Sequence, residues 1–406
     1  MKQTMSDQSC QFLIAGAGIT GLTVARELLA RGADDISVIE KESSAGQHAS
    51  GHNSGVLHAG VYYTPDTLKA KVCVEGNRLM KQYCRENGLA LRECGKVIVA
   101  KNEAEIKGIY DLKERAERSG AKVSIIDQRE LKEIEPYAAT AEKALFSPNT
   151  AIVRPAEVLS ALQKELERSG KVRFLFNQPF LGLRSPNEAD TSKGPIEFKT
   201  FINAAGAYAD KLAHKFGVGR DYNILPFKGT YKKVKQSRAF LVRANIYPLP
   251  DLRNPFLGVH LTRNADDEVY VGPTAIPALG RENYHLLDNI SAETASILYK
   301  DAILLFTNAG FRSAAQTELK RYWTPSIYEE ARSMAPELRE DDLEPSEKVG
   351  IRAQLVHWPT RKLVMDFVVE RAENSVHVLN AISPAFTCSM AFAKHIVDIC
   401  EGKKGS

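Results

Sequence analysis

The chain predicts an α/β fold that opens on a parallel βαβ unit, to which three observations point, and carries a second, differently textured lobe. QFLIAGAG (11–18) is a short apolar run ending in glycines, ITGLTVARELLARG (19–32) has helical spacing with a glycine stop, and DISVIEK (35–41) returns to β-branched residues. The stretch from about 220 to 345 holds half of the prolines, alternating segments such as TYKKV and EVYVGP, and helical runs after Ser291, as an inserted lobe would.

The remaining elements follow in order. Residues 65–88 read as a helix stopped by Gly88, and CGKVIVAK (94–101) as a strand. RPAEVLSALQKELERSG (154–170) has Pro155 at a helix start, Gly170 past its end, and Val158, Leu159, Leu162 and Leu166 along one face. KVRFLFNQPF (171–180) and EFKTFINAAG (197–206) read as strands, and SVHVLNAISPAFTCSMAFAKHIVDIC (375–400) as strand, loop and helix. No repeat and no low-complexity tract occurs.

Composition narrows the function classes. A chain of 406 residues, 44% hydrophobic, can bury a core in two lobes. Its net charge of +4 comes without a dense basic block interleaved with aromatics, which argues against nucleic acid as a partner. Cys10, Cys73, Cys84, Cys94, Cys388 and Cys400 form no CxxC pair and read as reduced thiols of a cytoplasmic protein. The first ten residues lack the features of a signal or transit peptide, and no apolar run is long enough to span a bilayer. Peripheral attachment at the inner face of a membrane stays compatible with this. His48, His214, His285, His357, His377 and His395 share no metal-ligand spacing, so no metal is expected.

Gly16-Ala17-Gly18-Ile19-Thr20-Gly21 lies between the first strand and helix, and Glu40, followed by Lys41, ends the next strand 19 residues after Gly21. Glycines there let the backbone approach a pyrophosphate, the helix N-terminus favours its negative charge, and an acid at the second strand end accepts from ribose hydroxyls. NAD and FAD both satisfy this fingerprint. A second polar loop about 30 residues on, GHNSGVLHAGVYY (51–63), suits the longer FAD: Gly51 and Gly55 clear space, while Asn53 and Ser54 offer donors and acceptors to a polar ring edge.

GAGITGLTVARELL, Glu40, HNSGVLHAGVYY, KAKVCVEGN, CGKVIVA, INAAGAYAD, NPFLGVHLTR, VGPTAI, GIRAQ and NAISPAFTCS occur in the order seen in the D-amino-acid-oxidase-like (DAO) flavoprotein family. Together they most resemble its L-2-hydroxyglutarate dehydrogenase/oxidase branch over roughly residues 12–400. The resemblance implies a discontinuous Rossmann-like FAD-binding domain (10–80, 148–218 and 347–406) with an inserted, mainly antiparallel α+β substrate domain (81–147 and 219–346). It implies FAD held by Gly16, Gly18, Ile19, Thr20, Gly21, Glu40 and Lys41, with His52, Asn53, Ser54 and Gly55 along the flavin and the Phe180 backbone at the adenine. Ala205 and Gly206 would pack near the dinucleotide, and Ser383, Pro384, Ala385, Phe386 and Thr387 would form the flavin segment at a helix N-terminus, with Arg352 close by.

The implied reaction is oxidation of a small 2-hydroxy acid, L-2-hydroxyglutarate first, to the 2-oxo acid, with electrons passing to a quinone or to oxygen. Such a site needs cations for carboxylates and a base for the hydroxyl proton. Arg352 offers a planar fork, and His58 or His260, with an ordinary pKa of about 6.5, suits the base. Lys228 and Tyr231, in PFKGTY, are candidates for a second carboxylate; the branch usually has arginine near position 228, and lysine gives up its bidentate geometry. Oxidation of an amine, an amino acid or a polyol phosphate on the same scaffold is the alternative activity, and a non-catalytic FAD redox sensor the alternative from another class.

Overall fold

The computed structural model describes residues 8–250, 258–285, 288–321 and 324–403. Asn254 to Leu257 of the NPFLGVHLTR motif lie outside the described residues. Two compact units emerge. The first comprises Met1–Gly51, Pro155–Leu225 and Ala353–Ser406, and the second His52–Arg154 and Pro226–Arg352. Residues 52–80, which the sequence reading groups with the dinucleotide-binding part, fall in the second unit.

The first unit is built on β1 (Gln8–Ala15), α1 (Ile19–Ala30) and β2 (Ile36–Ile39). β1 lies between β2 and the strand Gly194–Asn203, parallel to both, and β2 continues in parallel to Val172–Leu175. Ser375–Asn380 extends the sheet in parallel on Gly194–Asn203, giving a Rossmann-like parallel core. Every residue of β2 and of Ser375–Asn380 is buried, the signature of parallel strands covered on both faces. The covering helices are α1, Pro155–Arg168 and Ala385–Cys400, the last two packing against α1.

One predicted strand is two. KVRFLFNQPF breaks after Leu175 and resumes at Phe180, because Asn177 takes a left-handed φ of 51° and the amide of Gln178 turns to the Glu40 carbonyl. That turn anchors the carboxyl end of β2.

The second unit centres on a larger sheet whose order runs from Leu343–His357 through Tyr222–Val234, Val269–Gly272, His260–Arg263, Asn245–Pro248, Lys96–Val99 and Lys143–Ser147 to Ser124–Asp127. From Tyr222–Val234 to Ser124–Asp127 its neighbours pair antiparallel, apart from Asn245–Pro248 on Lys96–Val99, as expected for a mainly antiparallel lobe. Its core gathers Val97, Val99, Ile246, Leu261, Val269 and Val271 with Ala331 and Met334 of the helix Thr324–Met334. Ser291 caps the helix Ala292–Thr307 by accepting from the Glu293 amide, so the helical run after Ser291 begins where the sequence places it. No helix among the described residues is long and apolar enough to cross a membrane. All six cysteines are free thiols.

Candidate functional site

In the first unit the glycines form a cradle. Gly16 has φ 110°, and a Cβ there would lie 2.6 Å from the Ala204 carbonyl oxygen. A Cβ on Gly21 would stand 1.9 Å from the Gly16 carbonyl oxygen, so strand and helix approach as closely as they do only because no side chain intervenes. Gly18 is the N-cap of α1 and brings no capping side chain; the Ile19 amide donates instead to Ser50 Oγ at 2.9 Å. Thr20 follows in the first turn. With no acidic residue in that turn, the helix end keeps its positive character.

Glu40 at the end of β2 accepts from the Ala17 amide at 2.8 Å through one carboxylate oxygen and from the Glu42 amide at 3.0 Å through the other. The acid therefore braces the glycine turn itself. Lys41 pairs with Glu42 and lies 2.7 Å from His48 Nε2, which puts it in a local charge cluster, and Lys41 and His48 hold the Glu42 carboxyl below its ordinary range. Ala205 donates its amide to Asn203 Oδ1 at 3.2 Å, and Gly206 opens a single 3₁₀ turn. Phe180 stacks its ring into a phenylalanine cluster with Phe201 and Phe216, leaving its backbone on a strand edge. Ser383 and Pro384 lead into the helix Ala385–Cys400, whose first turn carries buried Ala385, Phe386 and Thr387. His377 is a structural histidine: buried, bonded to Asn203 and Ser375, and pushed down to about 4 by that burial.

In the second unit the polar loop turns on its own side chains. Asn53 Oδ1 accepts from the Gly55 amide at 2.9 Å and Ser54 Oγ from the Val56 amide at 3.4 Å. His52 stacks on Tyr284 with 4.2 Å between ring centroids and meets the Val349 carbonyl at 2.8 Å. Asn77, on the helix Leu68–Glu86, then donates to the carbonyls of Leu57, His58 and Asn149, which pins the backbone on which His58 sits.

His58 and His260 are both buried and interact electrostatically with each other. Burial, then the charges of Lys96 and His260, push His58 down to about 3. Burial lowers His260 to about 4 against a bond from its Nδ1 to the Gly258 carbonyl, with Lys96 and Arg321 adding to the depression. Both imidazoles are therefore neutral at pH 7, the state in which a histidine accepts a proton. Arg352 is half-buried and pushed down to about 10 by desolvation, partly offset by Tyr63, so it stays a cation at pH 7. Lys228 is not a solvated edge charge but buried, donating to the His285 carbonyl at 3.2 Å, and burial lowers its pKa. Tyr231, on the same strand, is pushed up to about 12 by burial and hence holds its proton.

Sequence reasoning missed several groups here. Lys96 begins the buried strand Lys96–Val99 and is 1% exposed; its ammonium lies 4.2 Å from the Tyr62 ring centre and 4.8 Å from that of Tyr247. Tyr247 in turn stacks on His260 at 3.9 Å. Lys348 sits 4.3 Å over Tyr270 and 5.7 Å over Tyr231. CGKVIVA was legible as a strand, yet a lysine at a strand's first position reads as solvated; its only warning was the unbroken apolar run that follows. Ser50 stood one residue before the glycine loop and carried no signal of its own.

Comparison with known proteins agrees with this geometry. The model of the FAD-dependent oxidoreductase (DAO) family matches residues 11–399. The mitochondrial L-2-hydroxyglutarate dehydrogenase of Nematostella vectensis is 37% identical, covering 95% of this chain and 89% of that one. The L-2-hydroxyglutarate dehydrogenase of Escherichia coli strain K12 is 36% identical over 95% and 92%, and the human mitochondrial protein of the same name 33% identical over 98% and 89%. Among solved structures, dithionite-reduced L-alpha-glycerophosphate oxidase from Mycoplasma pneumoniae with FAD bound superposes with a TM-score of 0.74 at 21% identity, covering 97% of this chain and 95% of that one; it shares the fold. A parallel dinucleotide cradle in one unit, a buried histidine pair in the other and a family match over nearly the whole length lead to one assignment: the chain belongs to the DAO family and is an FAD-dependent oxidoreductase.

Proposed function

We propose that this protein oxidises L-2-hydroxyglutarate to 2-oxoglutarate. The observation that carries the reading is the buried, neutral His58–His260 pair in a chain that is 33–37% identical, across most of its length, to proteins named L-2-hydroxyglutarate dehydrogenase.

The first unit suits FAD. A cradle that any Cβ at Gly16 or Gly21 would fill, an α1 N-terminus without an acid, and Glu40 at the second strand end fit a pyrophosphate and its ribose. Gly16, Gly18, Ile19, Thr20, Gly21, Glu40, Lys41, Ala205 and Gly206 would hold it, with Phe180 at the adenine and Ser383 to Thr387 at the flavin. FAD, when bound, supplies a two-electron acceptor for the hydride that leaves the hydroxyl-bearing carbon.

The chain's own residues do the rest. His58 or His260 takes the hydroxyl proton as the C–O bond becomes a carbonyl, so the O–H and C–H bonds break, one as a proton and one as a hydride. Arg352 binds the carboxylate next to the reacting carbon through two parallel hydrogen bonds. Lys228 and Tyr231 bind the distal carboxylate, the lysine as a point charge and the protonated phenol as a donor. The relatives are named dehydrogenases, which favours an acceptor other than oxygen, and a quinone is the candidate.

Anaerobic mixing of the holoprotein with a panel of acids, followed by flavin absorbance, tests this. L-2-hydroxyglutarate should bleach the flavin faster than its D-enantiomer, lactate, glycerol 3-phosphate or any amino acid. Faster bleaching by an amino acid or by glycerol 3-phosphate overturns the reading, and a flavin stable to every compound would favour a sensor. Reoxidation by a short-chain ubiquinone analogue against air decides the acceptor.

A further inference from the structure

Lys96 has no place in the reaction just described, yet it is among the most deeply buried side chains of the molecule. Lysines are almost never fully buried unless paired, and among the described residues the Lys96 amine makes no hydrogen bond. Its neighbours are aromatic faces: the Tyr62 ring at 4.2 Å and the Tyr247 ring at 4.8 Å. Ring faces attract a cation but accept no proton from it, so the amine can lose its proton without breaking a hydrogen bond.

The surroundings make this amine a neighbour of the proposed base. Tyr247, one of the two rings, is the ring on which His260 stacks. Lys96 acts electrostatically on both histidines. The groups facing the cluster are Cys73 toward Lys96, Arg321 and the Gly258 carbonyl toward His260, and Tyr231 toward Tyr247. Arg321 is itself committed to Glu318 and Glu330, which blunts its field.

We propose that Lys96, clasped between Tyr62 and Tyr247, is a positioning residue of the reaction that governs whether the His58–His260 pair can accept the hydroxyl proton of the acid. It acts through the histidines and not on substrate, and the assignment of those histidines rests on the function proposed above. Burial drops the Lys96 pKa to about 7, so the amine changes charge in the range where the enzyme would work. As an ammonium it opposes a proton on either imidazole; as an amine it relaxes that opposition, so the pair gains basicity as Lys96 discharges. A lysine in this place couples the base to pH in a way that a fixed arginine charge would not.

Histidine-labelled holoprotein titrated by NMR, with H58N and H260N to assign the signals, tests the coupling without any turnover. In the wild type both imidazoles should stay neutral to below pH 5. In Lys96→Met at least one should protonate at a pH higher by about 0.5, a threefold change in its proton affinity. A second arm follows single-turnover flavin reduction by L-2-hydroxyglutarate: the acid limb of its pH profile should move up in Lys96→Met and return in Lys96→Arg, which restores the charge. Histidines that titrate near 6.5 in the wild type, or an unmoved titration and acid limb in a flavin-loaded Lys96→Met, overturn the proposal. Should Lys96→Met fail to fold, the wild-type histidine signals still read the coupling: they should shift with an inflection near pH 7 as Lys96 discharges, and signals flat across that range overturn the proposal. If the histidines respond but L-2-hydroxyglutarate fails to reduce the flavin, the substrate assignment falls and the coupling stands.

Discussion

The Lys96 ammonium lies 4.2 Å from the centre of the Tyr62 ring with 1% of the residue exposed to solvent. Such a contact returns about 0.5–2 kcal/mol, whereas holding an amine near 7 instead of 10.5 corresponds to a penalty on the order of 5 kcal/mol on its charged form. The balance is unfavourable to folding wherever the lysine is charged.

Replacing Lys96 by methionine should therefore stabilise the protein at pH 6, by a few kcal/mol, while moving the acid limb of the reaction up. The sign depends on pH. The unfolded chain binds the lysine proton up to about 10.4 and the folded chain only up to about 7, so wild-type stability rises with pH across that interval. Urea midpoints of the two holoproteins at pH 6 and pH 9 should converge at the higher pH; a midpoint lowered by the substitution at pH 6 would contradict the account.

The buried histidines impose the same sign at lower pH. His260 and His377 are held down to about 4 and His58 to about 3, while the unfolded chain protonates all three near 6.5. Stability is retained above 6.5 and lost as pH falls from there toward 4. For His260 alone the full loss is on the order of 3 kcal/mol. Urea titrations at pH 7, 6 and 5 should show a falling midpoint, and the fall should be smaller in His377→Gln.

Gly21→Ala should give protein with little or no flavin. The added methyl would sit 1.9 Å from the Gly16 carbonyl oxygen, a backbone atom that cannot swing aside without opening the glycine turn. The ratio of absorbance near 450 nm to that at 280 nm in the purified variant reads this directly, and normal flavin content would show that the turn is less tight than the geometry states.

Arg352→Lys should raise KM for the acid roughly 10- to 100-fold and lower kcat less, because lysine keeps a charge but loses the two-pronged geometry. Arg352→Met should lose both. Flavin content separates a substrate role from a cofactor role: a variant that loses flavin moves Arg352 to the cofactor.

What the sequence determined by itself is local and periodic. A parallel βαβ unit announces its strands by short apolar runs and its turn by glycines, and β1, α1 and β2 lie where those runs place them. His58 and His260 stood out as candidates because an ordinary histidine titrates near neutrality, and the family resemblance pointed to them; that burial moves both well below that range was not readable from the chain. Only the tertiary structure decided which charges are buried with them. Lys96 and His260 lie more than 160 residues apart, and they meet through Tyr247 because the strand Asn245–Pro248 pairs with both Lys96–Val99 and His260–Arg263. Burial and proximity, which set the pKa of a histidine or a lysine, belong to the assembled sheet; no window of the chain contains them.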